Sequence, residues 1–551
     1  MRACGMPTAP KVEDGGEARP PSVATGLSAG VLFAGFASLY LVTRQHNLST
    51  YHDAIMHLRT VLIFDVGPHP HHLLYRWMER GWLWVMGTLD APPMVAATSA
   101  AALSALSAAS VVTVAFLLLR RHFALSGPCA LLGASLVGFS YGPWLHATVI
   151  NVYILPLALL LACLFMLAGN GARVGTYVAV GALHALAVLI HQAFVLFTPV
   201  VGIAAWMERQ PLATRLRWFV VYALVSGGSV LLAYVLVAVF VVETKSLADF
   251  SYWITTYAHD GYAKIPGVSG LMKAAIGFTR AAFGALWIFA VPGATATIAK
   301  IFNRGVHDEA FLVRDMSPTY ALVYFAVTVI GILLVLGLML VTRHAAKEVW
   351  LRQRRAATLV MATFVVFAAF FLFWKPELLE FWMPQLTMSW LLWAAQVLRP
   401  GPGLQTRACV SALVAVTLII SNYGGGIRHL RSPANDYYLA CVQGGASVIE
   451  RGAPVFVKSE YLDDYLEVFL GVMPRRLRLP DTDPYDRGAL DPAQIGTNLA
   501  ADAARLGSTV SAYVVGTSVP PSMLGGAGVP RALVTTPCEV WQVAYPGDAS
   551  S

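Results

Sequence analysis

"YHDAIMHLRTVLIFDVGPHPHHLLYRWMERGWLW", residues 51–84, follows an apolar run from about Leu27 to Val42, and how it is read decides what kind of fold the chain has. It carries Asp53, Asp65 and the histidines His52, His57, His69, His71 and His72 in a chain otherwise poor in ionisable groups. Of 551 residues, 57% are hydrophobic and 12% charged, with a mean hydropathy of +0.63. Soluble domains carry roughly 25% charged residues. This composition excludes a soluble enzyme and describes a polytopic membrane protein. A histidine-rich segment beside the first apolar run then reads as a loop at the membrane surface.

Working outward, apolar runs able to cross a hydrocarbon core of roughly 30 Å as helices are expected near residues 27–42, 92–119, 124–141, 149–168, 174–190, 193–207, 217–242, 318–341, 356–374, 383–398 and 405–421. That is about eleven spans by length and hydropathy. Arg120, Arg121, Arg173, Arg209, Arg215, Arg343, Lys347, Arg352, Arg399 and Arg407 fall in alternate loops, which marks those loops as cytoplasmic. The net charge of +8 is therefore mainly topological, and no nucleic-acid partner is expected. Residues 1–25 read as a disordered cytoplasmic tail and the first run as an uncleaved anchor.

The same bookkeeping puts the first loop (44–91), the long 243–317 loop and everything after 421 on the extracytoplasmic face of an inner membrane. Within the long loop, "AAFGALWIFAVPGATATIA" (281–299) reads as a re-entrant or interfacial helix, since a full crossing would reverse every later basic loop. The expected fold is an α-helical polytopic membrane domain over 26–421, with interfacial helices in its first outer loop. A small soluble α/β domain over 422–551 follows, where strand-like "PVFVK", "TVSAYVVGTS" and "EVWQVAY" alternate with helix-like stretches. Glycines 424–426 read as a hinge before it. That domain has no nucleotide-binding or G-x-S-x-G signature. Cys441 and Cys538 share it and are able to pair if it faces an oxidising compartment.

In "HDAIMHLRTVLIF", Ile55, Leu58 and Leu62 recur at helical spacing, so the segment reads as an amphipathic surface helix with Asp53 and His57 on one face. Asp53 is either its N-cap or a general base. His69, His71 and His72 suit packing, hydrogen bonds to a donor phosphate or, with a carboxylate, a divalent metal such as Zn²⁺; no other cofactor is indicated. His191 and Gln192 sit between two apolar runs, with His184 seven residues earlier. In "WKPELLEFW", Lys375 reads as a phosphate partner or a snorkelling residue, with Glu377 and Glu380 placed to bind a sugar or neutralise the lysine. The aromatics around His259, Asp260 and Lys264 suit a sugar ring and a membrane interface equally.

An aspartate just after the first span, then "GPHPHHLLY" (67–75), resembles the first outer loop of the GT-C membrane glycosyltransferases, nearest the protein O-mannosyltransferase branch and its bacterial relatives. "WLHATVINVYILPL" (144–157), "LAVLIHQAFVLFTP" (186–199) and "FFLFWKPELLEFWMP" (370–384) resemble the same branch. The resemblance implies a glycosyltransferase with Asp53 as catalytic base and a polyprenyl-phosphate sugar as donor. By the same resemblance and chemistry, His57, His69, His71, His72, Tyr75, Asn151, Tyr153, His191, Gln192, Lys375 and Glu380 contact donor or acceptor. The acceptor is a glycan, a lipid or a protein, and membrane lipids surround the whole. Two departures bear on the substrate and on activity itself: Met56 stands where many relatives carry Glu, and Asn151 opens the family's Glu-Val-Tyr. The rivals are a ligase or polymerase of lipid-linked glycans and a secondary transporter or flippase. The transporter fits less well, because the polar residues gather in outer loops and no internal repeat is visible.

Overall fold

The computed structural model describes residues 23–49, 53–63, 69–169, 171–255, 267–302, 306–450, 452–457, 460–476, 492–506, 509–516, 529–534 and 538–545. Residues 1–22, Gly67 and the His259, Asp260 and Lys264 segment lie outside the described residues. Among those described, six helices are long and apolar enough to cross a membrane: Val23–Val42, Pro93–Arg121, Leu212–Phe240, Pro318–Val341, Arg354–Phe371 and Leu404–Leu430. Shorter apolar helices at Gly127–Phe139, Ile154–Ala168 and Val174–Ile190 pack between them. Leu224, Leu231, Leu333 and Leu336 stay exposed on the long helices, as lipid-facing positions do where the solvent is itself apolar.

The expected span at 193–207 is not one helix. After His191 the chain makes a 3₁₀ segment, Gln192–Phe197, and then the short helix Thr198–Trp206. Pro199 explains the break, since proline is accommodated only in a helix's first turn. The 281–299 stretch, expected as a re-entrant or interfacial helix rather than a crossing, is broken: Val268–Ala282 is helical, Leu286–Ala290 is 3₁₀ and Ala294–Phe302 is a separate helix.

The last apolar helix, Leu404–Ile419, continues as a π-helix over Ile420–Ile427. Asn422 in it donates to Phe139 O (2.8 Å) and Ala282 O (2.9 Å) and accepts from Gly284 N (3.0 Å), joining three distant segments. The expected hinge at 424–426 is a packed junction instead. A Cβ at Gly424, Gly425 or Gly426 would fall 2.8 Å from Tyr324, Trp287 or Tyr141, so glycine is present for close approach rather than for motion.

Beyond it lies a five-stranded mixed sheet in the order Arg475–Arg476, Val455–Val457, Val510–Gly516, Glu539–Tyr545, Val529–Val534, the first three strands parallel and the rest antiparallel. Its helix Glu460–Leu470 packs on the first-loop helix Asp53–Leu62. Arg59 pairs with Glu467 and, at 3.5 Å, with Asp464. Buried Asp436 accepts from Leu48 N (2.8 Å), Leu439 N (3.0 Å) and Tyr465 Oη (2.7 Å). Cys441 and Cys538 form a disulfide with a Cα–Cα distance of 5.2 Å across 97 residues. Closing so long a loop gives an entropic stabilisation of roughly 4 kcal/mol. Cys441→Ser is expected to make the sheet region cleavable by limited proteolysis while the membrane helices remain protected, checked by mass spectrometry of the fragments.

Candidate active site

A cavity of about 1020 Å³ opens where the first loop, the 3₁₀ turn after His191, the Val268–Ala282 helix and the 375–381 segment meet the Glu460–Leu470 helix. That is room for a sugar and a lipid headgroup. Asp53, Met56, His57 and Thr60 line it at i, i+3, i+4 and i+7, one face of the amphipathic helix, while Ala54, Ile55, Leu58 and Val61 are buried on the other. Asp53 is the first residue of that helix, at the positive end of its dipole.

The histidine segment is held from both sides. Leu74 N donates to Leu189 O (2.8 Å), Tyr234 Oη donates to Pro70 O (2.5 Å), and His69 Nδ1 accepts from His71 N (3.3 Å). The rings then meet in series: Tyr75 on His57 at 5.1 Å, His57 on His72 at 5.6 Å, His72 on His191 at 4.9 Å and His191 on Tyr153 at 4.7 Å. His69 stacks on His72 at 5.5 Å and tilts against His71 at 5.4 Å. Burial, reinforced by neighbouring imidazoles, pushes His57, His71 and His191 down to about 3, and burial pushes His69 down to about 4. These rings are neutral at physiological pH. Among the described residues no group of three or more His, Cys, Asp or Glu is arranged to hold a metal ion; the rings face one another instead.

The same cavity is lined by Arg280, in the last turn of Val268–Ala282, together with Lys375, Glu377 and Glu380. Glu380 is enclosed there, and burial, with Asp53 adding repulsion, raises its carboxyl to about 7 against the pull of its own amide, Arg280 and Lys375. Lys375 has φ +42°, a strained backbone of the kind found at functional sites. Glu377 pairs with Lys273 at 3.6 Å. Arg59 also lines the cavity but is paired with Glu467 and Asp464. Nothing local distinguishes Arg280 in sequence from a helix-end arginine. An adjoining apolar crevice, lined by Leu157, Phe194, Phe367 and Phe371, shares Tyr153, His191 and Glu380 with the main cavity. Gln192 lines the main cavity as well.

One expected member behaves differently. Asn151 lies behind the wall: its amide donates to His146 O, Val149 O (3.0 Å) and Ser104 Oγ (3.2 Å), while Oδ1 accepts from Tyr153 N and Ile154 N at 3.0 Å each. It caps the Ile154–Ala168 helix and seats Tyr153. Of the two departures from the family pattern, Met56 therefore changes the cavity and Asn151 changes the scaffold. His184 bonds Tyr222 (2.9 Å), Ser226 (2.9 Å) and Phe194 O (2.9 Å) and is a satisfied interior histidine.

Glu79, one turn after Tyr75, is 1% exposed, and neither of its carboxyl oxygens has a hydrogen-bond partner. Burial lifts it to about 8, with the Tyr75 hydroxyl only partly opposing. The folded protein thus keeps a proton that the unfolded chain releases above its ordinary carboxylate value. Stability therefore falls as pH rises toward 8, by about 1.4 kcal/mol per unit. Glu79→Gln is expected to flatten that slope in melting temperature measured from pH 5 to 8 in detergent.

The whole chain superposes on the crystal structure of ArnT from Cupriavidus metallidurans in the apo state, with TM-score 0.58 and 14% identity, covering 96% of this chain and 99% of that one. ArnT from the same organism bound to undecaprenyl phosphate aligns with TM-score 0.55 at 14% identity over the same shares. The chain has the GT-C fold. No known family's sequence profile matches it, and no curated protein matches it. At this identity the likeness is one of fold alone.

Proposed function

We propose that this protein is an extracytoplasmic membrane glycosyltransferase that moves a sugar from a polyprenyl-phosphate donor to an acceptor hydroxyl. The observation that carries the reading is one cavity of about 1020 Å³ lined by Asp53, Arg280 and Lys375. The structure of ArnT with undecaprenyl phosphate supports a lipid-phosphate donor for a chain of this fold. The prenyl tail lies among the membrane helices and the phosphate rests on Arg280 and Lys375. Asp53 takes the proton from the acceptor hydroxyl as its oxygen bonds the sugar's anomeric carbon. The bond from that carbon to the phosphate oxygen breaks, and polyprenyl phosphate leaves with its charge held by the two cations. Tyr461 and Asp464 from the C-terminal unit line the opposite mouth, where an acceptor would approach. The Pro93–Arg121 helix starts beside the first loop and ends on Arg120 and Arg121, which supports a cavity facing away from the cytoplasm.

The test is a deletion strain with and without the wild-type gene, comparing envelope glycans and lipid-linked sugars by mass spectrometry. The expected result is one glycan mass lost and its polyprenyl-linked donor accumulated, restored on complementation. An unchanged donor pool would sink the transferase reading and favour a transporter.

A further inference from the structure

The 375–382 segment and the Val268–Ala282 helix meet at close range. A Cβ at Gly277 would fall 2.5 Å from Pro376 O and 2.8 Å from the Trp382 ring, an approach that glycine alone permits. Trp382 Nε1 donates to Pro376 O at 2.8 Å, Phe381 stacks on Phe371 at 4.6 Å, and Lys273 pairs with Glu377 at 3.6 Å across the junction. This packing holds Arg280, in the helix's last turn, at the same cavity as Lys375 and Glu380. All three residues are half-buried rather than sealed, so each presents surface to a ligand in the cavity. Among the described residues neither Arg280 nor Glu380 forms a salt bridge, although the fields of Arg280 and Lys375 both reach the Glu380 carboxyl.

Resting on the transferase reading above, we propose that Glu380 is a third ligand of the donor's phosphate, a neutral carboxyl that donates a hydrogen bond to a phosphate oxygen beside Arg280 and Lys375. Donor binding then takes up a proton wherever Glu380 starts ionised. Burial, with repulsion from Asp53, lifts the carboxyl to about 7 against its own amide, Arg280 and Lys375, so below that value it keeps its proton. A protonated carboxyl is a donor, and an O–H on an anionic oxygen is among the stronger hydrogen bonds. Ionised, the same group repels the phosphate and draws the two cations to itself. The other charged and titratable groups around it are Asp53 on the first-loop helix, Lys273 beside Arg280's helix turn, Tyr141 and His146 on Tyr141–Ala147, Tyr153 and His191 at the crevice, and Glu377 on its own segment. Met383–Val397 and the end of Arg354–Phe371, which also pack there, carry none. Asp53 as the proton acceptor of the mechanism and Glu380 as a proton holder divide the two roles a carboxyl can play.

The experiment measures lipid binding to the full-length protein in nanodiscs from pH 6 to 9. The probe is the methyl ester of polyprenyl phosphate, a phosphodiester whose single charge does not titrate in that range. Wild-type affinity is expected to be level below pH 7 and to fall by up to about tenfold per unit above it. Glu380→Gln, which keeps a donor and cannot ionise, is expected to flatten the profile. Glu380→Leu, which has no donor, is expected to bind about tenfold more weakly than the wild type at pH 6. Should these variants not fold, calorimetry of the wild type in two buffers of different ionisation heat reads the same linkage: uptake of about one proton per lipid at pH 8 and none at pH 6. A level wild-type profile, a slope that survives Glu380→Gln, wild-type affinity in Glu380→Leu at pH 6, or no proton uptake at pH 8 would overturn the proposal. Failure of both this probe and bare polyprenyl phosphate to bind at any pH would instead overturn the transferase reading on which it rests.

Discussion

Asp53→Asn is expected to insert and fold like the wild type and to lose sugar transfer by about 10³-fold, within the range general-base removal produces. The substitution keeps the side chain's shape and its place in the first turn of the Asp53–Leu62 helix, and it removes the only feature the mechanism needs, a site for the acceptor's proton. Binding of the donor is expected to change little, because in the proposed mechanism its phosphate rests on Arg280 and Lys375 rather than on Asp53. The check is turnover of a glycosyl-phosphate lipid by the purified variant alongside its donor affinity. A variant that binds and turns over normally would return Asp53 to the role of helix cap. Loss of binding together with activity would mean that the carboxylate holds the site together electrostatically, most directly through its effect on Glu380.

The second large effect concerns stability. Asn151→Asp is expected to destabilise the protein by roughly 3 to 5 kcal/mol, since it leaves a buried, uncompensated charge. The amide's nitrogen donates to three oxygens and its oxygen accepts two backbone amides. A carboxylate keeps the second set and turns the first into repulsion against His146 O, Val149 O and Ser104 Oγ. Asn151→Ala loses both sets of bonds without adding charge and is expected to be milder. Melting temperature in detergent tests the order: Asp worse than Ala sustains the cost of a carboxylate against those three oxygens, and the reverse order or equal effects would refute it. The same physics says that a glutamate here would break the scaffold. Met56 lines the cavity, so a carboxylate introduced there would enter the site itself.

Much of this was readable from local pattern. Helical spacing of Ile55, Leu58 and Leu62 put Asp53 and His57 on one face, and the structure keeps both on the cavity wall. Unbroken apolar runs marked the Pro318–Val341 helix to the residue. The apolar run expected at 193–207 is helical over Gln192–Trp206, but its 3₁₀ start before Pro199 was not legible, because hydropathy averages over a window and does not register a local change of helix type.

The sequence by itself determined the solvent this chain folds in, the surface helix of the first loop and the chemistry clustered on it, because each follows from composition or from spacings within a few residues. Only the tertiary structure decided which charges face one another. Arg280 and Glu380 reach Asp53's cavity from more than two hundred residues away, and Arg59 is drawn off by Glu467 of the C-terminal unit. Glu79, in a stretch that reads as an ordinary interfacial helix, ends up buried with a proton. Pairing and burial are set by which distant segments pack together, and the pattern along a single helix holds no record of its neighbours.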